Sequence, residues 1–227
     1  MKNAFVCSQY PVTLVGGGEI GPQDLALALD HAPMLVAADG GAAHALRAGH
    51  VPAAVIGDFD SLRRADRDRM PPDRLFQVDE QDSTDFDKAL GNIAAPLVLA
   101  VGFLGARLDH QLAAFSTLLR FADRPCVLIG PQEIVFHVPA ALRVDLAAGD
   151  VVSLFPLAPV SGRSQGLEWP IDGLCLRPGG RIGTSNRATG PVQLLIEGAG
   201  LLAIVPRRAL PAVTAALSAP ARGPAAR

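Results

Sequence analysis

Val55–Leu62 reads VIGDFDSL: a β-branched apolar run, a glycine, then Asp58 and Asp60 one residue apart with Ser61 behind them. The apolar run predicts a buried strand. Strand side chains alternate with a period of two, so this reading aims both acids to one side. Two carboxylates held together repel and lose hydration, which a divalent cation or a shared proton relieves. The plainer reading is a capped turn, with Asp60 or Ser61 as N-cap of a helix through LRRADRDRM (62–70). Recurrence favours the former. Asp39 closes MLVAAD (34–39), Asp82, Asp85 and Asp87 follow LFQVDEQ (75–81), and Asp109 follows LVLAVGFLGARL (97–108). In an open parallel sheet the carboxyl ends of the strands line one edge, where ligands bind. Several strands delivering acids to that edge outline a site for a metal and a polyphosphate.

The 227 residues are 49% hydrophobic and 19% charged, enough for one large or two small domains with a substantial core. A net charge of −2 without a basic block gives no reason to expect nucleic-acid binding. No apolar run approaches the roughly 20 residues of a membrane span, and MKNAFVCSQY lacks a signal-peptide core and cleavage site. Cys7, Cys126 and Cys175 are scattered and without CxxC spacing, so they are expected to be reduced, buried thiols of a cytoplasmic protein.

Strands are predicted at Pro11–Val15, Met34–Ala38, Ala53–Ile56, Leu75–Val78, Leu97–Val101 and Cys126–Ile129. Helices begin near Pro22 and cover Ala42–Gly49, Asp85–Ile93 and Asp109–Phe121. Short connections between alternating strands and helices argue for a parallel α/β sheet. From about Gly130 the helical period gives way to short strand-like runs divided by Gly and Pro, which reads as a small antiparallel β-sandwich or barrel. Two domains follow, 1–128 and 129–227, with the boundary within Asp123–Gln132 and one weak helix after Arg208.

GGGEIG (Gly16–Gly21) matches GxGxxG between a predicted strand and helix, and Asp39 stands where a dinucleotide enzyme holds a ribose hydroxyl. An NAD- or FAD-dependent oxidoreductase is therefore one reading, but it leaves Asp58, Asp60, Asp85 and Asp109 unexplained. The glycines equally suit a tight turn at a strand end. DSTDFDKAL (82–90) puts Asp85 and Lys88 three apart near a helix N-terminus, able to converge on phosphate oxygens. Its plain alternative is a surface helix with an acidic cap and an exposed lysine. GARLDH (105–110) offers Arg107 for bidentate phosphate contact and Asp109 at a helix start, where capping is the simple role. Trp169, the only tryptophan, suits core packing or ring stacking, and GTSN (183–186) reads as a polar turn.

ADGG (38–41), GDFDS (57–61), QDSTDFDKAL (81–90), GARLDH, GLEWPI (166–171) and GTSN, taken in this order, resemble the thiamine pyrophosphokinase (thiamine diphosphokinase) family from about Val12 to Pro206. Ala43 departs from a common Asn, Ala106 from a second Gly, and Arg187 from a frequent acid. The resemblance implies an N-terminal α/β nucleotide-binding domain, a C-terminal β-sandwich and a homodimer. It implies transfer of a pyrophosphoryl group from ATP to the hydroxyethyl oxygen of thiamine, releasing AMP. It further implies Mg²⁺ on Asp58, Asp60 and Asp85, with Lys88 and Arg107 against the polyphosphate. Gly17, Asp39, Gly40 and Gly41 would face the nucleotide, and Gln81 and Asp109 the thiamine alcohol. Trp169, Ser185 and Asn186 would hold the thiamine rings across the dimer interface. A non-catalytic nucleotide- or thiamine-binding regulator is the remaining alternative, and the intact set of acids, Lys and Arg argues against it.

Overall fold

The computed structural model describes residues 4–80, 82–105 and 107–218. The chain forms two units, Met1–Thr117 with Cys126–Pro131, and Leu118–Pro125 with Gln132–Arg227.

In chain order the first runs β1 (Val6–Cys7), β2 (Val12–Val15), α1 (Asp24–His31), β3 (Met34–Ala38), α2 (Ala42–Arg47), β4 (Ala54–Gly57) and α3 (Arg64–Arg67). It continues with β5 (Leu75–Gln77), α4 (Asp85–Gly91), β6 (Ile93–Ala94), β7 (Val98–Val101), α5 (Leu108–Arg120) and β8 (Cys126–Ile129). Six strands pair in the order β8-β7-β2-β3-β4-β5, all parallel. Strands β2, β4, β7 and β8 are buried at every position, so they do not alternate between core and solvent; the polar Thr13 of β2 donates its Oγ1–H to Ala32 O at 2.6 Å. The chain leaves β2 for β3, β4 and β5 on one side, whereas β7 and β8 add on the other. The order therefore reverses between β2 and β7, where open α/β sheets leave a crevice. Strands β1 and β6 form a separate parallel pair, two residues each, too short for any periodicity to announce. Helix α3 is a single turn; its N-cap is Arg63 with no side-chain bond, so neither Asp60 nor Ser61 caps it.

The second unit is built from β9 (Glu133–His137), β10 (Ala141–Val144), β11 (Val151–Pro156), β12 (Val160–Leu167), β13 (Cys175–Leu176), β14 (Gly183–Glu197), β15 (Leu201–Pro206) and α6 (Leu210–Ser218). Every pairing is antiparallel, so over the whole chain strand pairing is mixed. Strand β14, 15 residues long, pairs with β10, β11 and β12. GTSN is not a free turn: it opens β14 and pairs with β11 through the main chain. Thr184 and Ser185 are exposed, whereas Asn186 is buried, so the polar composition says nothing of the ladder. Ser185 takes φ 63 there, beside a register shift between Val152 and Leu154. Of the cysteines only Cys126 is buried; Cys7 and Cys175 sit at outward-facing positions of two-residue strands, contrary to expectation. Among the described residues no helix is long and apolar enough to cross a membrane.

Candidate active site

Three acids converge beyond the carboxyl ends of β3 and β4. Asp39 directly follows β3, is fully buried, and takes the left-handed region at φ 39. Its Oδ2 accepts the Ser61 N–H at 3.1 Å; its Oδ1 is buried without a hydrogen-bond partner. Gly57 makes this approach possible, since a Cβ there would lie 2.7 Å from that of Asp39. Strand β4 ends at Gly57, so Asp58 and Asp60 belong to a turn. Phe59 between them has φ 68. Their convergence comes from this left-handed kink and not from the strand pleat that the sequence suggested. One oxygen from each of Asp39, Asp58 and Asp60 lies within 4.8 Å of the others.

Asp85, the third metal ligand expected from the resemblance, opens α4 outside this tight set. Burial, then the charge of Asp58, raise its carboxyl above the ordinary range. It is thus a neighbour of the triad. Asp39, which the sequence marks among the edge acids and the resemblance places at the nucleotide, takes the third place in the set. Burial is also the main cause that pushes Asp39 up to about 7; the Ser61 N–H opposes it, and Asp85 and Asp60 add to it.

Lys88 Nζ donates to Asp58 Oδ2 at 2.6 Å, with the lysine side chain only 2% exposed. It is not the surface lysine of the plain alternative: the helix turns it toward the β4 loop, where it bonds Asp58 while it lines the same cleft as Asp85. The bond holds Asp58 below the usual carboxylate range. For Lys88, burial pulls downward, but the Asp58 bond and the charges of Asp58 and Asp85 outweigh it and leave it raised. Helix α4 is anchored by a capping box: Thr84 Oγ1 accepts the Asp87 N–H at 3.2 Å, and Asp87 Oδ2 accepts the Thr84 N–H at 3.2 Å. Asp87 is therefore occupied structurally.

Arg107 and Asp109 are exposed and bind each other, Nε to Oδ1 at 3.1 Å and Nη2 to Oδ2 at 2.5 Å. The guanidinium draws Asp109 down to about 2. The two groups assigned separately to phosphate and alcohol are thus paired with each other, through Nε and Nη2 of the arginine, at an exposed position. Gln81 and Ala106 lie outside the described residues.

Asp58, Asp60, Asp85 and Lys88 border a cleft of about 830 Å³ whose lining includes Gly17, Gly40, His44, Phe86, Phe103 and Arg107, while Asp39 is fully buried and is not part of that lining. Rings of Phe86 and Phe103 stand 4.3 Å apart and give one wall an apolar surface. His44 and Phe103 were missed in the sequence, since neither belongs to an acid-bearing motif. The glycine loop does not cradle a pyrophosphate in the dinucleotide manner. Gly16 N–H donates to Val101 O at 2.8 Å, Gly18 N–H to Gly102 O at 3.1 Å, and Gly21 N–H to Asp24 Oδ2 at 2.7 Å. These donors are already engaged, and α1 begins only at Asp24. A Cβ on Gly41 would lie 2.1 Å from Val15 O, so that glycine serves close backbone packing.

In the second unit Trp169 is 55% exposed, which removes the core-packing reading. Asn186 is buried; its Oδ1 accepts the N–H groups of Trp169 and Arg187 at 3.1 and 2.8 Å, and its Nδ2 donates to Trp169 O at 2.6 Å. Its amide therefore fixes the Trp169 backbone, a different task from the outward hydrogen bond expected of it. Ser185 is exposed, its N–H donating to Ser153 Oγ at 3.0 Å.

Residues 25–129 match the family model described as thiamin pyrophosphokinase, catalytic domain, and residues 135–194 the model described as thiamin pyrophosphokinase, vitamin B1 binding domain. The chain belongs to the thiamine pyrophosphokinase family. Thiamine pyrophosphokinase 1 of Arabidopsis thaliana is 28% identical over 199 residues, covering 73% of this chain and 74% of its own length. Thiamin pyrophosphokinase 1 of Caenorhabditis elegans is 25% identical over 168 residues, 66% of this chain and 68% of its own. Among solved structures, the thiamin pyrophosphokinase of Geobacillus thermodenitrificans superimposes with a TM-score of 0.70 at 25% identity, over 86% of this chain and 96% of that one. The Candida albicans enzyme, at 16% identity and TM-score 0.72 over 88% and 93%, shares the fold. All the clefted acids and Lys88 fall within the stretch matching the thiamine pyrophosphokinase catalytic model.

Proposed function

We propose that this protein is a thiamine diphosphokinase, transferring a pyrophosphoryl group from ATP to thiamine. The hydroxyethyl oxygen of thiamine attacks the β-phosphorus, the bond from that phosphorus to the α,β-bridging oxygen breaks, AMP departs, and the alcohol releases its proton. The observation that carries the reading is the carboxylate triad with its buried lysine, set in the stretch that matches the catalytic-domain model.

The unpartnered, buried Asp39 Oδ1 fits a divalent cation, because that oxygen, without donors or solvent, can carry its charge only beside a positive neighbour. Asp39, Asp58 and Asp60 would hold Mg²⁺, with Asp85 as a fourth carboxylate beside them. Bound there, the ion supplies charge neutralisation on the polyphosphate. The chain's own part is positioning. Lys88 holds Asp58 in place and offers a fixed positive charge, while the Gly17 and Gly40–Gly41 turns border the nucleotide. Arg107 reaches phosphate oxygens once it leaves Asp109, which then turns to the thiamine alcohol together with Gln81. Trp169, supported from behind by Asn186, gives thiamine an aromatic face, and Ser185 a hydroxyl. The first unit is the ATP-binding domain and the second a thiamine-binding β-sandwich, working as a homodimer.

Incubation with ATP, Mg²⁺ and thiamine, followed by nucleotide separation, tests the reaction. AMP and thiamine diphosphate in equal amounts are expected. ADP would mean an ordinary kinase, and ATP binding without turnover a non-catalytic binder; either result overturns the proposal.

A further inference from the structure

Four lysine and arginine side chains border the cleft of the first unit: Arg47, Arg63, Lys88 and Arg107. Three are matched by a carboxylate, Lys88 by Asp58, Arg63 by Asp66 and Arg107 by Asp109. Arg47 differs. Its Nη2 donates to Nδ1 of His44 at 2.9 Å, one helical turn earlier on α2. Arginine has donors only, so Nδ1 must accept; the ring is neutral and its proton sits on Nε2. Burial, then the Arg47 charge, hold His44 below its ordinary value, with backbone bonds to Gly17 and Gly18 pulling the other way. The imidazole, which lines the cleft together with Gly17 and Gly18, therefore ties the guanidinium to helix α2. It fixes the direction of Arg47 without cancelling its charge. Ala43, on the same wall, adds no polar atom.

Anion binding in this cleft favours such a group. A cation already paired with a carboxylate must share or lose that partner before it can meet a phosphate, whereas Arg47 needs no such exchange. Its fork of donors also suits phosphate oxygens. We infer that Arg47 is a phosphate contact for the nucleotide and that His44 is its positioning residue. This rests on ATP being the ligand of the proposed reaction.

Calorimetric titration with ATP and with adenosine, in Mg²⁺, separates a phosphate contact from a general weakening. Arg47→Gln should weaken ATP by about tenfold or more, the scale of a charge-assisted contact, and adenosine by less than about twofold. In turnover, the KM for ATP should rise more than kcat falls, with the KM for thiamine unmoved. His44→Ala should show the same pattern at about three- to fivefold, and the double variant should be no worse than Arg47→Gln, because the histidine acts through the arginine. Arg47→Lys should recover part of the loss. Unchanged ATP affinity in Arg47→Gln, or equal losses for ATP and adenosine, would overturn the inference. Wild-type protein that binds ATP but forms no AMP sinks the transferase reading while the binding arm still judges Arg47. Wild-type protein that fails to bind ATP sinks both.

Discussion

At the scale of single residues, the pairing of Asp58 with Lys88 separates two substitutions that the sequence treats alike. Asp60→Asn removes one charge from an exposed position, so kcat should fall by at least about 10²-fold, the scale of losing a strong electrostatic contact, with little change in melting temperature. Asp58→Asn should lose rate similarly but also destabilise the fold by up to about 3 kcal/mol, since it leaves Lys88 buried without its counter-charge. Equal melting temperatures for the two variants would contradict the structural role of the pair. Asp39 has the opposite sign. In the unfolded chain it ionises near its ordinary 3.8, whereas the folded site keeps it protonated up to about 7. Between these values the native state holds a proton that the unfolded state has released, so stability falls as pH rises, then levels off. Asp39→Asn, compatible with φ 39 and with accepting the Ser61 N–H, should flatten part of that slope in metal-chelated protein and raise melting at pH 8. Asp85 contributes the same sign and keeps the rest.

At the scale of elements, α4 is the piece that carries chemistry on a short lever. It has seven residues, below what stands alone as a helix, so its capping box matters more than usual. Thr84→Ala removes the acceptor for the Asp87 N–H and should cost about 1 kcal/mol. Because Lys88 sits one turn further on, kcat should drop together with the urea midpoint. A stability loss with unaltered kcat would show that Lys88 is held by Asp58 alone. Neither the box nor the Lys88–Asp58 bond could be read with certainty from DSTDFDKAL, where three acids compete for each role.

At the scale of the whole molecule, Trp169 gives the sharpest reading because it is the only indole. Being 55% exposed, it should tolerate replacement by Ala with little loss of stability. The KM for thiamine should rise by about 5- to 30-fold, which corresponds to about 1–2 kcal/mol of stacking or cation–π contact. Thiamine should also quench the wild-type fluorescence; an unperturbed indole and an unchanged KM would move the thiamine pocket elsewhere. If each site draws on both copies of a homodimer, mixing Trp169→Ala with Asp60→Asn protein under subunit exchange should recover activity that neither has alone. Strict additivity of the two residual rates would instead show that each copy works by itself.

The sequence by itself determined the alternation of strands and helices in the first unit and the approximate end of each strand. Burial on both faces writes β4, β7 and β8 as apolar runs, and β2 as one interrupted only by Thr13, and such runs are legible without coordinates. It also marked the acids, because carboxylates immediately after such runs have few structural uses. Only the tertiary structure decided which acids meet. Asp39, Asp58 and Asp60 come together because Gly57 admits Asp39 and Phe59 turns left-handed, both consequences of three-dimensional contact and not of local pattern. The same holds for the partners: Lys88 goes to Asp58, Arg107 to Asp109 and Asn186 to the Trp169 backbone. Long polar side chains reach several neighbours in any sequence-based reading, and which neighbour wins depends on the distances that folding sets.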